Sequence, residues 1–151
     1  MKNHESVIVF AEGEHGYMPQ MRKGAAYRAT SGAVGGFVRD KTVGGFVTVN
    51  LGDRYPLSVI DFTGETGLHP TQKPVALFRY LIRTYTRPGD LVVDPCVGSG
   101  TTAIAAREES RRYICGDSSL EYVEVARKRL AAPFTIPMFS GEFDPVIEGR
   151  I

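Results

Sequence analysis

Leu91-Val92-Val93-Asp94-Pro95-Cys96-Val97-Gly98-Ser99-Gly100-Thr101-Thr102 decides how this 151-residue chain is read. Three apolar residues lead into an aspartate, then Gly-Ser-Gly, then the Ala-rich run Ala103 to Ala106. A short apolar run before glycine, followed by helix formers, predicts a buried strand, a tight turn and a helix. Gly98 and Gly100 permit positive φ and leave no Cβ between backbone and ligand. Amides of the first helical turn would then face that ligand, which suits anionic or hydroxyl-rich groups. Asp94 falls at the carboxyl end of the strand, where open α/β sheets bind their ligands. A bare Gly-x-Gly is a structural turn as often as a ligand loop. The longer Asp-Pro-x-x-Gly-Ser-Gly-Thr-Thr run favours the ligand loop.

The totals bound the rest. A chain of 151 residues suffices for one domain with a core and not for two full ones. Hydrophobic residues at 42% against 23% charged ones describe a globular protein. No apolar run approaches the roughly 20 residues that span a bilayer, and Met-Lys-Asn-His-Glu lacks the apolar core of a signal peptide. Cys96 and Cys115 are isolated, without metal-ligand spacing, and read as buried free thiols in a reducing, cytoplasmic compartment. The net charge of +1 says nothing of nucleic acid, but Arg22, Lys23, Arg28, Arg39 and Lys41 face only Asp40 between positions 20 and 41. That excess suits phosphate contacts, and a solvated loop would look the same.

Along the chain, Val7 to Ala11 reads as a buried strand. Seven glycines between 24 and 52 break any helical period, and the pairs 35–36 and 44–45 mark turns. Phe37-Val38 and Phe46 to Val49 suit the short strands of a hairpin, against the plainer alternative of a long loop. Thr71 predicts the N-cap of a helix from about Gln72 to Tyr85, with Val75, Leu77, Phe78, Leu81, Ile82 and Tyr85 on its apolar face. Arg87-Pro88-Gly89-Asp90 is a turn into the glycine-loop strand. After a helix from Thr102 to Glu109, Tyr113 to Gly116 forms the next strand and ends at Asp117. An acidic residue about 20 positions beyond a glycine loop, at a strand's end, is placed to accept ribose hydroxyls. Ser118 or Ser119 caps a last helix, Leu120 to Leu130, with Tyr122, Val123, Ala126 and Leu130 buried and Arg127, Lys128 and Arg129 toward solvent. Ile147-Glu148-Gly149-Arg150 matches a protease recognition sequence, so part of the tail is compatible with an engineered remnant.

Asp94 to Thr102 resembles the cofactor loop of the DNA methyltransferases that modify exocyclic amines, adenine N6 or cytosine N4. That family usually reads Asp-Pro-Phe-x-Gly-Ser-Gly-Thr-Thr, so Cys96 departs from it at one position. His69-Pro70-Thr71-Gln72-Lys73-Pro74 is similar to a second signature of the family. His4-Glu5 with Val9-Phe10, Tyr17-Met18-Pro19-Gln20, Tyr55 to Phe62, which resembles a strand of the family, and Glu121 to Leu130 agree with it in order. The resemblance implies a partial Rossmann-like fold of the S-adenosylmethionine-dependent kind, an α/β three-layer α-β-α arrangement. It also implies S-adenosyl-L-methionine as cofactor. Thr71 and Lys73 would meet its carboxylate; Asp94, Pro95, Cys96, Gly98, Ser99, Gly100, Thr101 and Thr102 would surround its methionine portion. Asp117 would take the ribose, although the family more often has Glu there. On this reading residues 1–62 are a remnant of the catalytic and target-recognition region, 63–132 the cofactor-binding region, and 133–151 a tail.

The same resemblance exposes a gap. Such enzymes carry Asp/Asn/Ser-Pro-Pro-aromatic, whose polar groups bind the target amine while the ring stacks on a flipped base. No Pro-Pro occurs in this chain, and in this motif order the tetrapeptide precedes residue 1. The expected function is therefore a fragment of an enzyme methylating double-stranded DNA, adenine N6 before cytosine N4, inactive by itself. The alternative is a non-catalytic cofactor-binding module that completes or regulates a partner. A small-molecule or protein methyltransferase shares the fold but not the His-Pro-Thr-Gln-Lys-Pro segment, and a nicotinamide dehydrogenase would need Gly-x-Gly-x-x-Gly. Without the strand bearing the tetrapeptide, Leu91 to Val93 is expected to present a bare apolar edge that self-associates or recruits a complementing chain.

Overall fold

Backbone pairing organises the chain, in a computed structural model, into three two-stranded sheets among the described residues, which are 4–31, 46–65, 67 and 71–133. They divide into two units, one of residues 19–31 and 46–60, the other of residues 4–18 and 61–133.

The first unit is built from four strands: β1 (Arg22–Lys23), β2 (Tyr27–Ser31), β3 (Phe46–Asn50) and β4 (Asp53–Arg54). β2 and β3 run antiparallel, from Tyr27 opposite Asn50 to Ser31 opposite Phe46, and β1 pairs β4. Gly52 closes the unit: its φ is 106°, and a Cβ there would lie 2.5 Å from the Gly24 carbonyl oxygen. No side chain fits that approach. The Arg54 guanidinium lies over the Tyr27 ring at 4.8 Å and donates to the Ala25 carbonyl. The strand expected at Phe46 is present, with Tyr27–Ser31 as its partner; Phe37-Val38 lie outside the described residues.

The second unit is a parallel pair, β5 (Leu91–Asp94) and β6 (Arg112–Cys115), with three helices: α1 (Val75–Tyr85), α2 (Thr101–Glu108) and α3 (Leu120–Ala131). α2 is central, packing on α1, α3 and both strands. Its composition permits this, because small side chains let neighbouring backbones come close on every side. Ala105 and Ala106 are completely buried, with Ile82, Val75, Phe78 and Val92 against them, while Ala103 packs with Val97 and Ala126.

Two charged clamps join α1 to α2. Glu109, just beyond α2, accepts from Arg79 Nε at 2.6 Å and from Arg83 Nε, and Arg79 also reaches Glu108 at 3.3 Å. Burial opposes the Glu109 charge, yet the two guanidiniums win and hold its carboxyl below its ordinary range.

Several boundaries differ from expectation. α1 begins at Val75 and not at Gln72, with Pro74 extended at its N-cap (φ −63°, ψ 136°). Proline disfavours helical geometry in the residue before it, so Lys73 stays outside the helix. The cap also differs: Glu65, not Thr71, accepts the Val75 amide at 2.8 Å. At α3 the Ser119 side chain makes no cap bond; Asp117 instead accepts the Ser119 amide at 2.9 Å. Val7 to Ala11 and Tyr55 to Phe62 form no strand. Phe10 is 88% exposed. A β-branched run becomes a strand only against a partner, and no partner meets it among the described residues. Cys96 is exposed and Cys115 half-buried, so the pair of buried thiols is not found.

The sheet is bare on one face. Leu91, Val93 and Ile114 share the face turned away from α2, with Val93 and Ile114 each 62% exposed. The other edge of β5 has no partner among the described residues. The described part thus holds a parallel pair and a helical layer of the expected α/β sandwich. No described helix is long and apolar enough to cross a membrane.

Two outcomes follow. We expect concentration-dependent association of the purified chain in light scattering, weakened by Val93→Lys; a monodisperse monomer at every concentration would refute the bare-face argument. Glu109→Gln should cost about 2 kcal/mol in urea unfolding, the scale of hydrogen bonds to charged groups. Because the folded Glu109 titrates below its unfolded value, its contribution is complete above the ordinary glutamate range and disappears as pH falls through the folded value. The wild-type loss of stability on acidification should therefore be steeper than that of Glu109→Gln.

Candidate functional site

Asp94 is where the glycine loop begins, and its carboxylate shapes the turn. Oδ1 accepts the Cys96 amide at 2.9 Å, an Asx turn, and Oδ2 accepts the Thr102 hydroxyl from the first turn of α2. Strand end and helix start are thereby tied through one side chain. The loop then closes on β6: Val97 donates to the Gly116 carbonyl at 2.8 Å, and Gly116 donates to the Asp94 carbonyl at 2.9 Å. Gly98 (φ 51°) donates its amide to Asp117 Oδ2 at 2.9 Å, and Gly100 (φ 90°) donates to the Val97 carbonyl. The Gly98 and Gly100 amides thus serve the loop itself.

Nine of the sequence-derived residues meet at one cleft of about 320 Å³: Thr71, Lys73, Asp94, Cys96, Gly98, Ser99, Thr101, Thr102 and Asp117. Pro95 is exposed in the loop, and Gly100 is buried beneath it, so neither lines the cleft. His69 and Pro70 lie outside the described residues. The Lys73 segment is fastened to the loop by the Thr101 hydroxyl, which donates to the Lys73 carbonyl at 3.3 Å. The Lys73 ammonium pairs with the exposed Glu5 carboxylate. Cys115, beside the site, is no nucleophile: burial first, and then the Asp94 charge, push its thiol up to about 11, so it stays protonated.

Five further residues belong to this arrangement. Gln72, Phe78 and Val97 line the cleft. Arg129 donates to the Ser99 carbonyl at 2.8 Å and to its hydroxyl at 3.2 Å, and its other nitrogen lies 3.8 Å from Glu65. Arg129 was expected in solvent, yet it follows Ala126 by three positions and so shares the buried stripe, a signal present in the helical period. Glu65 sits in an aperiodic stretch that carries no such signal.

This donor set contains one cation, hydroxyls from Thr71, Ser99 and Thr101, two carboxylates at successive strand ends, and an apolar side at Phe78 and Val97. It fits a ligand that is anionic at one end, apolar in part and rich in hydroxyls elsewhere. Fold and cleft together define an α/β domain with a cleft at the carboxyl ends of parallel strands, where open α/β sheets bind their ligands. The chain belongs to the DNA methylase family of the N6/N4 type, whose profile matches residues 41–128, more than half its length. It is 50% identical over 66 residues to the type II methyltransferase M2.DpnII of Streptococcus pneumoniae, a match covering 44% of this chain and 25% of that protein. The DNA adenine methyltransferase YhdJ of Escherichia coli is 42% identical over 62 residues, covering 41% of this chain and 21% of YhdJ. Among solved structures, the M1.HpyAVI–SAM complex is 44% identical over 44% of this chain and 34% of that one, with a TM-score of 0.42. The matched stretch therefore spans about a quarter of the length of these curated relatives.

Gly100 tests the packing beneath the loop. A Cβ there would lie 2.8 Å from Ala126 Cβ and 3.0 Å from its Cα, at a φ that side chains rarely adopt. Gly100→Ala should destabilise the chain by about 2 kcal/mol from backbone strain alone, with the clash added. A urea midpoint equal to wild type would show that α2 and α3 are not held at this distance.

Proposed function

We propose that this chain is the cofactor-binding part of an S-adenosylmethionine-dependent DNA methyltransferase of the type II restriction-modification kind, working in the cytoplasm on double-stranded DNA. The target is an exocyclic amine, adenine N6 in preference to cytosine N4. The observation that carries the reading is the single cleft on which Lys73, the Asp94–Thr102 loop and Asp117 converge. Family membership and the chemistry of that donor set support it.

When bound, S-adenosylmethionine supplies a methyl group on a positively charged sulfur. The chain's own part is binding and orientation. The Lys73 ammonium would pair with the cofactor carboxylate as a charge-assisted contact, with the Thr71 hydroxyl beside it. Asp94 keeps the loop in its turn through the Cys96 amide and Thr102. Asp117 would accept ribose hydroxyls with lone pairs left over from Gly98 and Ser119. Phe78 and Val97 exclude water from one side.

Base extrusion and amine activation would fall to an Asp-Pro-Pro-Tyr-type segment, and no Pro-Pro occurs among these 151 residues. Such a segment, supplied by a complementing chain, would sit at the bare edge of β5.

Calorimetric titration of the folded chain tests the reading. We expect saturable S-adenosylmethionine binding, weakened about tenfold in Lys73→Ala, the value of one charge-assisted contact, and lost in Asp94→Ala, where the turn loosens. A folded chain that takes up no S-adenosylmethionine would overturn the assignment of this cleft.

A further inference from the structure

Gly98 and Gly100 take positive φ, 51° and 90°, and Ser99 stands between them. Glycine tolerates either sign of φ, so the backbone at Gly100 leaves both orientations of the preceding peptide plane open. Hydrogen bonds choose between them, one at each end of the Ser99–Gly100 peptide. Its N–H, on Gly100, donates to the Val97 carbonyl at 2.9 Å. Its carbonyl, on Ser99, accepts from Arg129 at 2.8 Å, and the same guanidinium nitrogen donates to the Ser99 hydroxyl at 3.2 Å. Turning the plane over would set the Ser99 carbonyl against the Val97 carbonyl and the Gly100 N–H against the guanidinium. Acceptor would face acceptor, and donor would face donor.

Arg129 is itself held in place. Its side chain is 19% exposed and extends from the last turn of α3, three positions after Ala126, which packs on Gly100. Its other terminal nitrogen lies 3.8 Å from Glu65, whose two oxygens accept the Val75 amide at 2.8 Å and Gln72 Nε2 at 3.2 Å. The guanidinium thus spans from the glycine loop to the start of α1. A planar fork of fixed donors serves two partners at once, which an ammonium on a flexible stem does less well. Val97, Ser99 and Thr101 line the cleft, and Arg129 stands behind them.

We propose that Arg129 is a positioning residue for the cleft. It fixes the Ser99–Gly100 peptide from behind, and with it the face that Val97 to Thr101 turn toward a ligand. The consequence for binding rests on the cofactor reading above; the hold on the peptide does not. A loop fixed before the ligand arrives spares binding the cost of ordering it. Loss of Arg129 therefore weakens the ligand without removing a contact to it.

The experiment compares the full chain with Arg129→Met, which keeps an unbranched stem and removes the donors. Site-resolved amide exchange is the first readout. Protection of the Gly100 amide should fall by about tenfold, the value of a hydrogen bond to a charged group. The Ile104 amide, which donates to the Gly100 carbonyl within α2, should keep its protection. Calorimetric titration is the second readout, and S-adenosylmethionine should bind the variant about tenfold more weakly. Arg129→Lys should recover part of both losses, and it serves alone if circular dichroism shows Arg129→Met to be unfolded. Gly100 protection equal to wild type in a folded variant overturns the proposal. So does a fall shared equally by Ile104, the mark of a general loosening of α2, and so does unchanged affinity once Gly100 protection has fallen. A wild type that binds no S-adenosylmethionine overturns the cofactor reading instead, and the exchange measurement still decides the hold on the peptide.

Discussion

The distance between α2 and α3 at Gly100 and Ala126 is the constraint on which the second unit depends. With no Cβ at Gly100, the start of α2 sits against the Ala126 backbone, and the left-handed turn that precedes it can form. Everything from Thr101 to Ala106 is buried as a result. A larger residue at Gly100, Ala103, Ala105 or Ala106 would push the helix off the strands, and the glycine loop would move with it. The loop's conformation is thus set from below by packing, before any of its polar groups is considered.

Acidic side chains then finish what packing begins. Asp94, Asp117 and Glu65 each accept a backbone amide at a point where an element starts or turns. Asp94 and Asp117 line the cleft itself, and Glu65 is tied to it through Gln72 and through Arg129, which reaches the loop at Ser99. Glu109 does the same work at the far end of α2 by clamping two arginines of α1. The cleft is consequently lined by carboxylates that also order the backbone beneath it.

A two-stranded parallel sheet with one bare apolar face is an incomplete solution to burial. Parallel sheets are ordinarily covered on both faces, and here α2 covers one while Val93 and Ile114 remain in solvent. The exposed run at Val7 to Phe10 is the counterpart of that defect, a strand sequence without a ladder. Both features have one cause in the described residues, too few strands for the apolar residues that would pair. The first unit shows the contrast: Phe46–Asn50 found a partner in Tyr27–Ser31 and forms a regular ladder.

How much of this was legible depended on whether the physics was local. The strand–loop–helix at Leu91 to Glu108, the helices near Val75 to Tyr85 and Leu120 to Ala131, and the acidic residues at 94 and 117 could be read from the sequence alone. Periodicity, glycine placement and short-range turn chemistry act within a few residues and need no partner. The convergence of Thr71 and Lys73 with the glycine loop was anticipated by motif resemblance, not by physical reasoning. Tertiary structure alone decided which carboxylate caps α1, because Glu65 is ten residues from Val75 and carries no local signature. It also decided that Arg129 turns inward to Ser99, and that Val7 to Ala11 stays unpaired. Caps, ion pairs and strand ladders across distant residues depend on where the chain brings their partners, and that is settled only when the whole unit packs.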